Sequence, residues 1–266
     1  MPDILKAIIL GIVEGLTEFL PVSSTGHLII VNELLDYTGE EAASFDVFIQ
    51  LGAILAVLIY FRKRFIGLLS PATAPGFNGP RGLVFLALTT LPALIIGWFA
   101  HGMIKEHLFS VSSVATGLAL GAVWILLTEK FYRQDDPRDL EAMTWIMALG
   151  IGVFQCLAMW PGMSRSACTI LGAMLLGLRR KAAAEYSFFA AVPIMLAACT
   201  YDLYSTWHVM DRDVLLFFAV GFVAAFFSAL AAVRFFVGFV SRHTFIPFAW
   251  YRLALAAVLV LWVTYG

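Results

Sequence analysis

The sequence predicts an all-α protein that crosses a membrane several times, and three observations support this fold class. Of the 266 residues, 61% are hydrophobic and 13% are charged, whereas about a quarter of the residues of a soluble domain are charged. Six apolar stretches are long enough to cross a bilayer, and two more are interrupted by polar residues. These features exclude a water-soluble globule and predict six transmembrane helices plus two re-entrant helix-turn-helix segments.

Charge and cysteine patterns exclude two further classes. The 17 Lys and Arg residues against 18 Asp and Glu give a net charge of −1, so we expect no nucleic-acid partner. Cys156, Cys168 and Cys199 have the spacing of neither a zinc site nor a disulfide framework, and we expect small core residues. The first residues lack the basic segment and cleavage site of a secretory signal peptide.

The six predicted spans each contain the roughly 20 residues that cross the apolar part of a bilayer. They are residues 45–61, 83–101, 111–129, 182–201, 214–236 and 247–265.

Two other apolar regions, residues 4–35 and 143–178, are interrupted near their middle. The first break is residues 21–27, PVSSTGH, and the second break is residues 160–169, WPGMSRSACT. Each half is too short to span, so we expect a helix, a turn near mid-membrane, and a helix that returns to the starting side. Such backbone persists only where protein or a water-filled cavity satisfies its polar groups.

The distribution of basic residues supports this layout, because cytoplasmic loops are enriched in Lys and Arg. The loops at 62–82, 130–142, 179–181 and 234–246 hold twelve of them. The opposite loops hold only Lys105 and Arg212. Both termini are then expected outside the cytoplasm.

The two halves correspond at an offset of 141 residues, which aligns Gly11 with Gly152 and Ser23 with Ser164. We expect one membrane domain, 1–266, with a first repeat at 1–131 and a second at 142–266. Each repeat has one re-entrant segment and three spans, and three is odd, so the second repeat lies inverted. Inverted repeats place their site near the midplane, where broken helices meet.

Glu14 and Glu18 lie one turn apart on one helix face. Ionisable residues inside a membrane are costly and indicate function by default. Two acids at this spacing fit a divalent-cation site or the orientation of a catalytic His. They also fit a purely structural pair bonded to Ser or Thr neighbours.

The first break carries a second set of candidates. Ser23 is a good N-cap for the returning helix. Ser24, Thr25 and His27 then fall in the first turn, where free N–H groups and the positive dipole end favour anions. Ser24 and His27 are three residues apart and predict a nucleophile with its base.

The second break carries Arg165, which needs an anion in an apolar setting. Arg165 with the hydroxyls of Ser164, Ser166 and Thr169 at a helix N-terminus suits a phosphate. A resting ion pair with Glu14 or Glu18 is a compatible alternative. Together the two breaks favour phosphoryl chemistry on a lipid whose tail stays in the membrane.

Three polar residues outside the breaks receive weaker predictions. Asp46 and Gln50 either line the cavity or lie at the interface, and Arg252 is expected to extend towards the membrane surface. Small residues at 172, 173 and 177 fit helix packing within one chain or between two copies in a homodimer.

These residues resemble the undecaprenyl-diphosphate phosphatase family, the bacitracin-resistance proteins BacA/UppP. The resemblance rests on EGLTEFLPVSSTGH at 14–27, FDVFIQLGAILAV at 45–57 and PGMSRSACT at 161–169. The family's two acids match Glu14 and Glu18, its Ser and His match Ser24 and His27, and its Pro-Gly-x-Ser-Arg-Ser motif matches residues 161–166.

The resemblance implies conversion of undecaprenyl diphosphate to the monophosphate, which recycles the carrier lipid of peptidoglycan synthesis and gives bacitracin resistance. It also implies a multi-pass protein of the bacterial inner membrane, dependent on a divalent cation such as Mg²⁺ or Ca²⁺, with its site open to the periplasm. We hypothesise that Ser24 attacks the phosphorus while His27 takes its proton. His27 or a metal-activated water as nucleophile stays open, as does a flippase or anion transporter built from the same repeats.

Overall fold

The computed structural model describes residues 3–71, 76–108, 110–132, 138–206 and 212–265, without the side chains of 101, 103–107, 202, 203 and 205–214. In these ranges the chain forms helices and no strand, with one isolated bridge between Arg138 and Leu178. The α-helices are α1 (Asp3–Thr17), α2 (Ser24–Leu34), α3 (Glu40–Tyr60), α4 (Arg62–Leu68), α5 (Gly79–Leu108), α6 (Val111–Phe131), α7 (Trp145–Gln155), α8 (Arg165–Leu175), α9 (Arg180–Thr206), α10 (Arg212–Val240) and α11 (Ile246–Tyr265). Short 3₁₀ turns occupy Leu140–Ala142 and Cys156–Met159.

Six of the described helices are long and apolar enough to cross a membrane. The spanning stretches are Glu40–Tyr60, Gly79–Ala100, Val111–Phe131, Arg180–Tyr201, Leu215–Val240 and Ile246–Tyr265. Each contains most or all of one predicted span. Large apolar side chains on these helices point outward, among them Trp98 and Phe99, which are 78% and 84% exposed. Such surfaces are stable only against lipid, and the prediction of an all-α, multi-pass membrane protein is confirmed.

The two interrupted segments form the predicted helix-turn-helix units, α1–α2 and α7–α8. The end of α8 lies beside the segment that precedes α7, where the Arg138 amide donates to the Gly177 carbonyl at 3.2 Å. Near the end of α2, Val31 and Leu35 pack against the same hydrophobic cluster that includes Ala7 from the start of α1. Each unit therefore ends beside the place where it began.

The basic loops lie together at one end of the bundle. Arg64, after α3, pairs with Glu141, before α7, at 3.3 Å, and Arg179 pairs with Asp139. Arg180 binds Glu129 at the end of α6 at 2.5 Å. These contacts involve three of the four segments that the charge count assigns to one side. Arg133 and the side chains of Lys105 and Arg212 lie outside the described residues.

Several of the strongest helix pairings join the first half of the chain to the second. Helix α1 packs on α10 and α7 on α5, while α3 pairs with α9 and α6 with α11. Glycines permit the first two contacts: a Cβ on Gly11 would meet the Gly221 carbonyl, and one on Gly152 would meet the Thr89 carbonyl at 2.6 Å. These two glycines thus let α1 approach α10 and α7 approach α5 closely.

Candidate active site at the two breaks

The two breaks meet inside the bundle. The Ser166 hydroxyl of the second break donates to the Leu20 carbonyl, directly before the first break, at 2.8 Å. Arg252 of α11 donates to the Pro21 carbonyl at 3.2 Å and to the Gly162 carbonyl at 2.8 Å. The site is therefore assembled from segments more than 130 residues apart in sequence.

Both returning helices begin in the same unusual way. Ser23 and Ser164 have φ values of 70° and 73°, in the left-handed region that non-glycine residues rarely occupy. The Ser23 hydroxyl accepts from the Gly26 amide at 3.4 Å, and the Ser164 hydroxyl accepts from the Ala167 amide at 3.3 Å. Ser23 is the N-cap that the sequence predicts. Strained backbone of this kind clusters at functional sites.

A cavity of about 190 Å³ lies between the breaks. A water molecule occupies about 30 Å³ in the liquid, so the space holds a group of several heavy atoms. Its polar lining is Glu18, Ser23, Ser24, Thr25, Gln50, Ser164 and Arg165, and its apolar lining includes Ile194, Met195 and Ala198 on α9. Gln50 thus lines the cavity.

Glu18 is the centre of the polar contacts in this cavity. Its carboxylate accepts from Arg165 Nη2 at 2.8 Å and from the Ser24 hydroxyl. Both charged side chains are largely buried, at 14% exposure for Arg165 and 9% for Glu18. The predicted resting ion pair of Arg165 therefore forms with Glu18.

Arg165 is held by further contacts but keeps a free donor. Its Nη1 donates to the Ser187 carbonyl at 3.1 Å, and its guanidinium lies 5.7 Å from the ring centre of Phe19. Its Nε has no hydrogen-bond partner among the described residues. A buried guanidinium with an unused N–H is prepared to bind an oxyanion.

His27 does not pair with Ser24 as the spacing predicts. Its Nδ1 lies 2.7 Å from the Ser23 carbonyl, and its Nε2 lies 2.6 Å from the Tyr251 hydroxyl. A carbonyl only accepts, so Nδ1 carries the proton, and in a neutral ring Nε2 accepts from Tyr251. The residue that receives the Ser24 hydroxyl is Glu18 instead.

Glu14 lies beside the cavity without lining it. Its side chain is fully buried, and neither carboxylate oxygen has a hydrogen-bond partner among the described residues. It is within electrostatic range of Glu18, Asp46 and Arg165. Asp46 accepts from Asn32 at 2.7 Å. In the described part of the chain, no three His, Cys, Asp or Glu side chains cluster as a metal-binding set.

Two predicted phosphate ligands point away from the cavity. The Ser166 hydroxyl is used by Leu20 and Ser164, the latter at 2.9 Å. The Thr169 hydroxyl is fully buried between α8 and α9 and lies 2.6 Å from the Ser187 hydroxyl. Thr169 lies one turn after the free N–H groups at the start of α8. Its side chain therefore contributes to packing between helices rather than to phosphate binding.

The prediction for Arg252 is wrong. Its side chain is fully buried rather than extended towards the membrane surface. It turns inward because five backbone carbonyls, from both breaks and α6, converge on its guanidinium. These bonds satisfy a charge that lipid cannot solvate.

Comparison with known proteins decides the family. Residues 7–258 match the family described as bacitracin resistance protein BacA. The chain belongs to the BacA family. It is similar to the undecaprenyl-diphosphatase of Nitratidesulfovibrio vulgaris strain DP4, with 57% identity over the full length of both chains. It is also similar to the undecaprenyl-diphosphatase of Maridesulfovibrio salexigens, with 56% identity over 98% of this chain and 100% of the other. Undecaprenyl-diphosphatase 2 of Paramagnetospirillum magneticum is 47% identical over 97% of this chain and 99% of its own.

In this BacA-family chain, sequence reasoning missed two neighbours of the site, Tyr251 and Arg252. A signal was present: an ionisable residue within an apolar span indicates function by default, and Arg252 is such a residue. Its position near one end of the span, however, favours a side chain that extends towards the membrane surface. Tyr251 had no signal, because tyrosines near span ends are usually interfacial.

Proposed function

We propose that this protein hydrolyses undecaprenyl diphosphate to undecaprenyl phosphate and inorganic phosphate. Three relatives at 47% to 57% identity carry the name undecaprenyl-diphosphatase, and the match covers nearly the whole chain. The observation in the structure that carries the proposal is the contact of Ser24, Glu18 and Arg165 in one small cavity. It combines a nucleophile, a proton acceptor and an anion-binding cation.

In the first step, the Ser24 oxygen attacks the terminal phosphorus. The bond from this phosphorus to the bridging oxygen breaks, and undecaprenyl phosphate leaves with that oxygen. The Ser24 proton passes to Glu18, which already accepts its hydrogen bond. In the second step, water attacks the phosphorus, the bond from phosphorus to the Ser24 oxygen breaks, and inorganic phosphate leaves while Ser24 takes its proton back from Glu18.

Arg165 supports this reaction by exchanging partners. At rest it neutralises Glu18, and the arriving phosphate competes for the same guanidinium and for the free Nε. A guanidinium that moves from Glu18 to the phosphate frees a Glu18 carboxylate oxygen when Ser24 must lose its proton. The N-termini of α2 and α8 add N–H donors to the developing oxyanion charge.

His27 is our candidate for the second step. It lies one turn after Ser24, and its proton is on Nδ1, so Nε2 takes a proton from water once it exchanges its hydrogen bond with Tyr251 for one with that water. A phosphate on Ser24 occupies the side of the cavity at Glu18, so a separate base favours the attack of water. Trapped phosphoenzyme with its phosphate on His27 rather than Ser24 would reverse these assignments.

The carboxylates of Glu14 and Glu18 provide candidate ligands for a divalent cation. Glu14 offers two buried carboxylate oxygens without hydrogen-bond partners, and Glu18 lies one turn away. Mg²⁺ is commonly held by one or two carboxylates together with substrate phosphates, which this donor set can provide. A cation held by Glu14 and Glu18 would neutralise charge on the phosphoryl oxygens. We therefore include Mg²⁺ or Ca²⁺ in the proposal.

We place the protein in the bacterial inner membrane, with both termini and the opening of the site on the periplasmic side. The supporting observation is the gathering of basic loops at the opposite end of the bundle. A reporter enzyme active only in the periplasm, fused after residue 266, is expected to be active. Activity of a cytoplasmic reporter at the same position would reverse the orientation.

We also propose a homodimer, because the small residues at 172, 173 and 177 would allow helices of two copies to pack closely. Gly172 packs within the chain, where a Cβ would meet Phe154 at 2.7 Å, and Ala173 is fully buried. Gly177 is free of such contacts and is the position left for a second copy. Mass measurement in detergent decides between monomer and dimer.

The decisive experiment measures phosphate release from undecaprenyl diphosphate in detergent, with and without Mg²⁺, Ca²⁺ or chelator. Wild type, Ser24→Ala and His27→Ala are compared on the same protein amounts. Release by wild type that Ser24→Ala abolishes supports the phosphatase. Folded wild-type protein that binds the lipid and releases no phosphate would instead support a flippase, for which the interleaved halves are also suited.

A further inference from the structure

Arg252 uses every hydrogen-bond donor of its side chain on backbone carbonyls. Its Nε donates to Leu118 at 3.2 Å, its Nη1 to Pro21 and Met163, and its Nη2 to Gly117 and Gly162. A guanidinium has five N–H groups, so none remains for a ligand. Arg252 therefore acts on the site through the backbone that it binds.

These five carbonyls belong to three segments that must stay in register. One is at the first break, two are at the second break and two are on α6. Among the described residues, no carboxylate pairs with Arg252. Its charge is buried and balanced only by carbonyl dipoles, so it adds positive potential beside a cavity suited to an anion.

Helix α6 is shaped to admit this side chain. A Cβ on Gly121 would collide with the Arg252 guanidinium, and a Cβ on Gly117 would collide with the Pro161 carbonyl. The two glycines are one turn apart, so they open a slot between α6 and the second break. Arg252 fills that slot.

Tyr251, the preceding residue, contacts His27 on α2. Its hydroxyl lies 2.6 Å from His27 Nε2, and the two rings are parallel within 2° with centres 5.6 Å apart. The Ser23 carbonyl holds the opposite nitrogen at 2.7 Å. The imidazole is thus fixed at both ends, once by its own helix and once by α11.

We propose that Tyr251 and Arg252 are a positioning pair: Arg252 sets the two breaks relative to each other, and Tyr251 fixes the orientation of His27 at the first break. The proposal rests on the proposed phosphatase function. It assigns to α11, which contributes no residue to the cavity lining, control over the geometry of both breaks.

The first test is Tyr251→Phe, which removes one hydroxyl and keeps the ring. The expected result is a fall in kcat on the order of 10-fold with little change in KM, since His27 acts on the reaction rather than on binding. The matched control is Tyr204→Phe on α9, where an 85% exposed tyrosine undergoes the same change and wild-type kinetics are expected. Unchanged kcat in Tyr251→Phe would refute the role of its hydroxyl.

A second readout does not depend on activity. In ¹⁵N-histidine NMR, the His27 signal is assigned by its absence in His27→Gln, and its Nε2 resonance is expected to move in Tyr251→Phe and to stay in Tyr204→Phe. If wild type releases no phosphate but this resonance moves, the proposed function fails while the contact stands. If wild type is active and the resonance does not move, the positioning role fails.

The second test compares Arg252→Lys with Arg252→Met, and Arg234→Lys on the exposed face of α10 serves as the control. Lys keeps the charge but has three donors for five carbonyls, so kcat is expected to fall on the order of 10-fold to 100-fold. Met loses the charge too, so its KM for the diphosphate is expected to rise above that of Lys. Folded Lys and Met variants with wild-type kcat and KM would overturn the proposal, and if neither folds, Tyr251→Phe decides it.

Discussion

The two breaks have nearly the same backbone but different chemistry. Each returning helix is capped by a serine with φ near 70°, and each cap accepts from the amide three residues later. At the offset of 141 residues, Glu14, Glu18, Ser24 and His27 correspond to Gln155, Met159, Arg165 and Cys168. The residues differ at all four of these positions, whereas the capping residue is serine in both breaks.

This difference indicates a division of work between the halves. The first broken segment, residues 4–35, holds the acids, the hydroxyl and the imidazole, and the second, residues 143–178, holds a single cation that reaches across to Glu18. Gln155, the counterpart of Glu14, bonds the Thr89 carbonyl at 3.2 Å in a neutral contact between helices. We infer that the first break carries out the reaction and that the second binds the charge of the substrate.

The largest expected effect tests the first break. Ser24→Ala removes the nucleophile and the hydrogen bond to Glu18, and phosphate release is expected to fall on the order of 10³-fold or more. Binding of the lipid diphosphate should change little, because Arg165 and both helix N-termini remain. Phosphate release within tenfold of wild type would contradict the assignment of Ser24.

The next effect tests the second break. Arg165→Lys keeps the charge but loses the planar pair of donors that grips a phosphate. We expect kcat/KM to fall on the order of 10²-fold, the scale seen when one transition-state donor is removed. The steady-state rates of this variant and of the exposed control Arg234→Lys on α10 provide the measurement. A near-normal rate in Arg165→Lys would show that a point charge suffices.

A matched pair of variants compares equivalent positions directly. His27→Ala is expected to lower kcat on the order of 10²-fold, the lower range for loss of a general base. Cys168→Ala, at the equivalent place in the second break, removes one buried sulfur and should leave kcat within about twofold, since it touches no reacting group. Equal losses in the two variants would indicate that both positions serve only packing.

The smallest expected effect concerns the shared scaffold. Ser23→Ala and Ser164→Ala each remove a cap, and each is expected to lower the free energy of unfolding by about 1 kcal/mol. The midpoints of thermal unfolding in detergent should therefore fall by similar amounts. A large loss in only one variant would show that the two caps differ in more than their neighbours.

Much of the fold was accessible from the sequence, because length and polarity decide what can cross a bilayer. Each predicted span overlaps one long helix, and both interruptions are turns, the first of them capped by Ser23 as the sequence predicts. The pairing of α1 with α10 and of α7 with α5 was not accessible, since it depends on which glycine faces which helix.

The sequence predicts candidate residues for the site but not the contacts that they make. Spacing on one helix predicts that Ser24 faces His27, yet Glu18 takes the Ser24 hydroxyl because the turn brings α1 back beside α2. The burial of Arg252 could not be predicted because its five acceptors come from segments distant in sequence. Backbone acceptors leave no mark in a sequence pattern.

The most direct test of the division of work measures binding and reaction on the same preparations. The dissociation constant for undecaprenyl diphosphate and the rate of phosphate release are determined for wild type, Ser24→Ala and Arg165→Lys. Ser24→Ala is expected to bind the lipid as wild type does and to release no phosphate, while Arg165→Lys is expected to bind it more weakly. Weak binding by Ser24→Ala together with wild-type binding by Arg165→Lys would contradict this division of work.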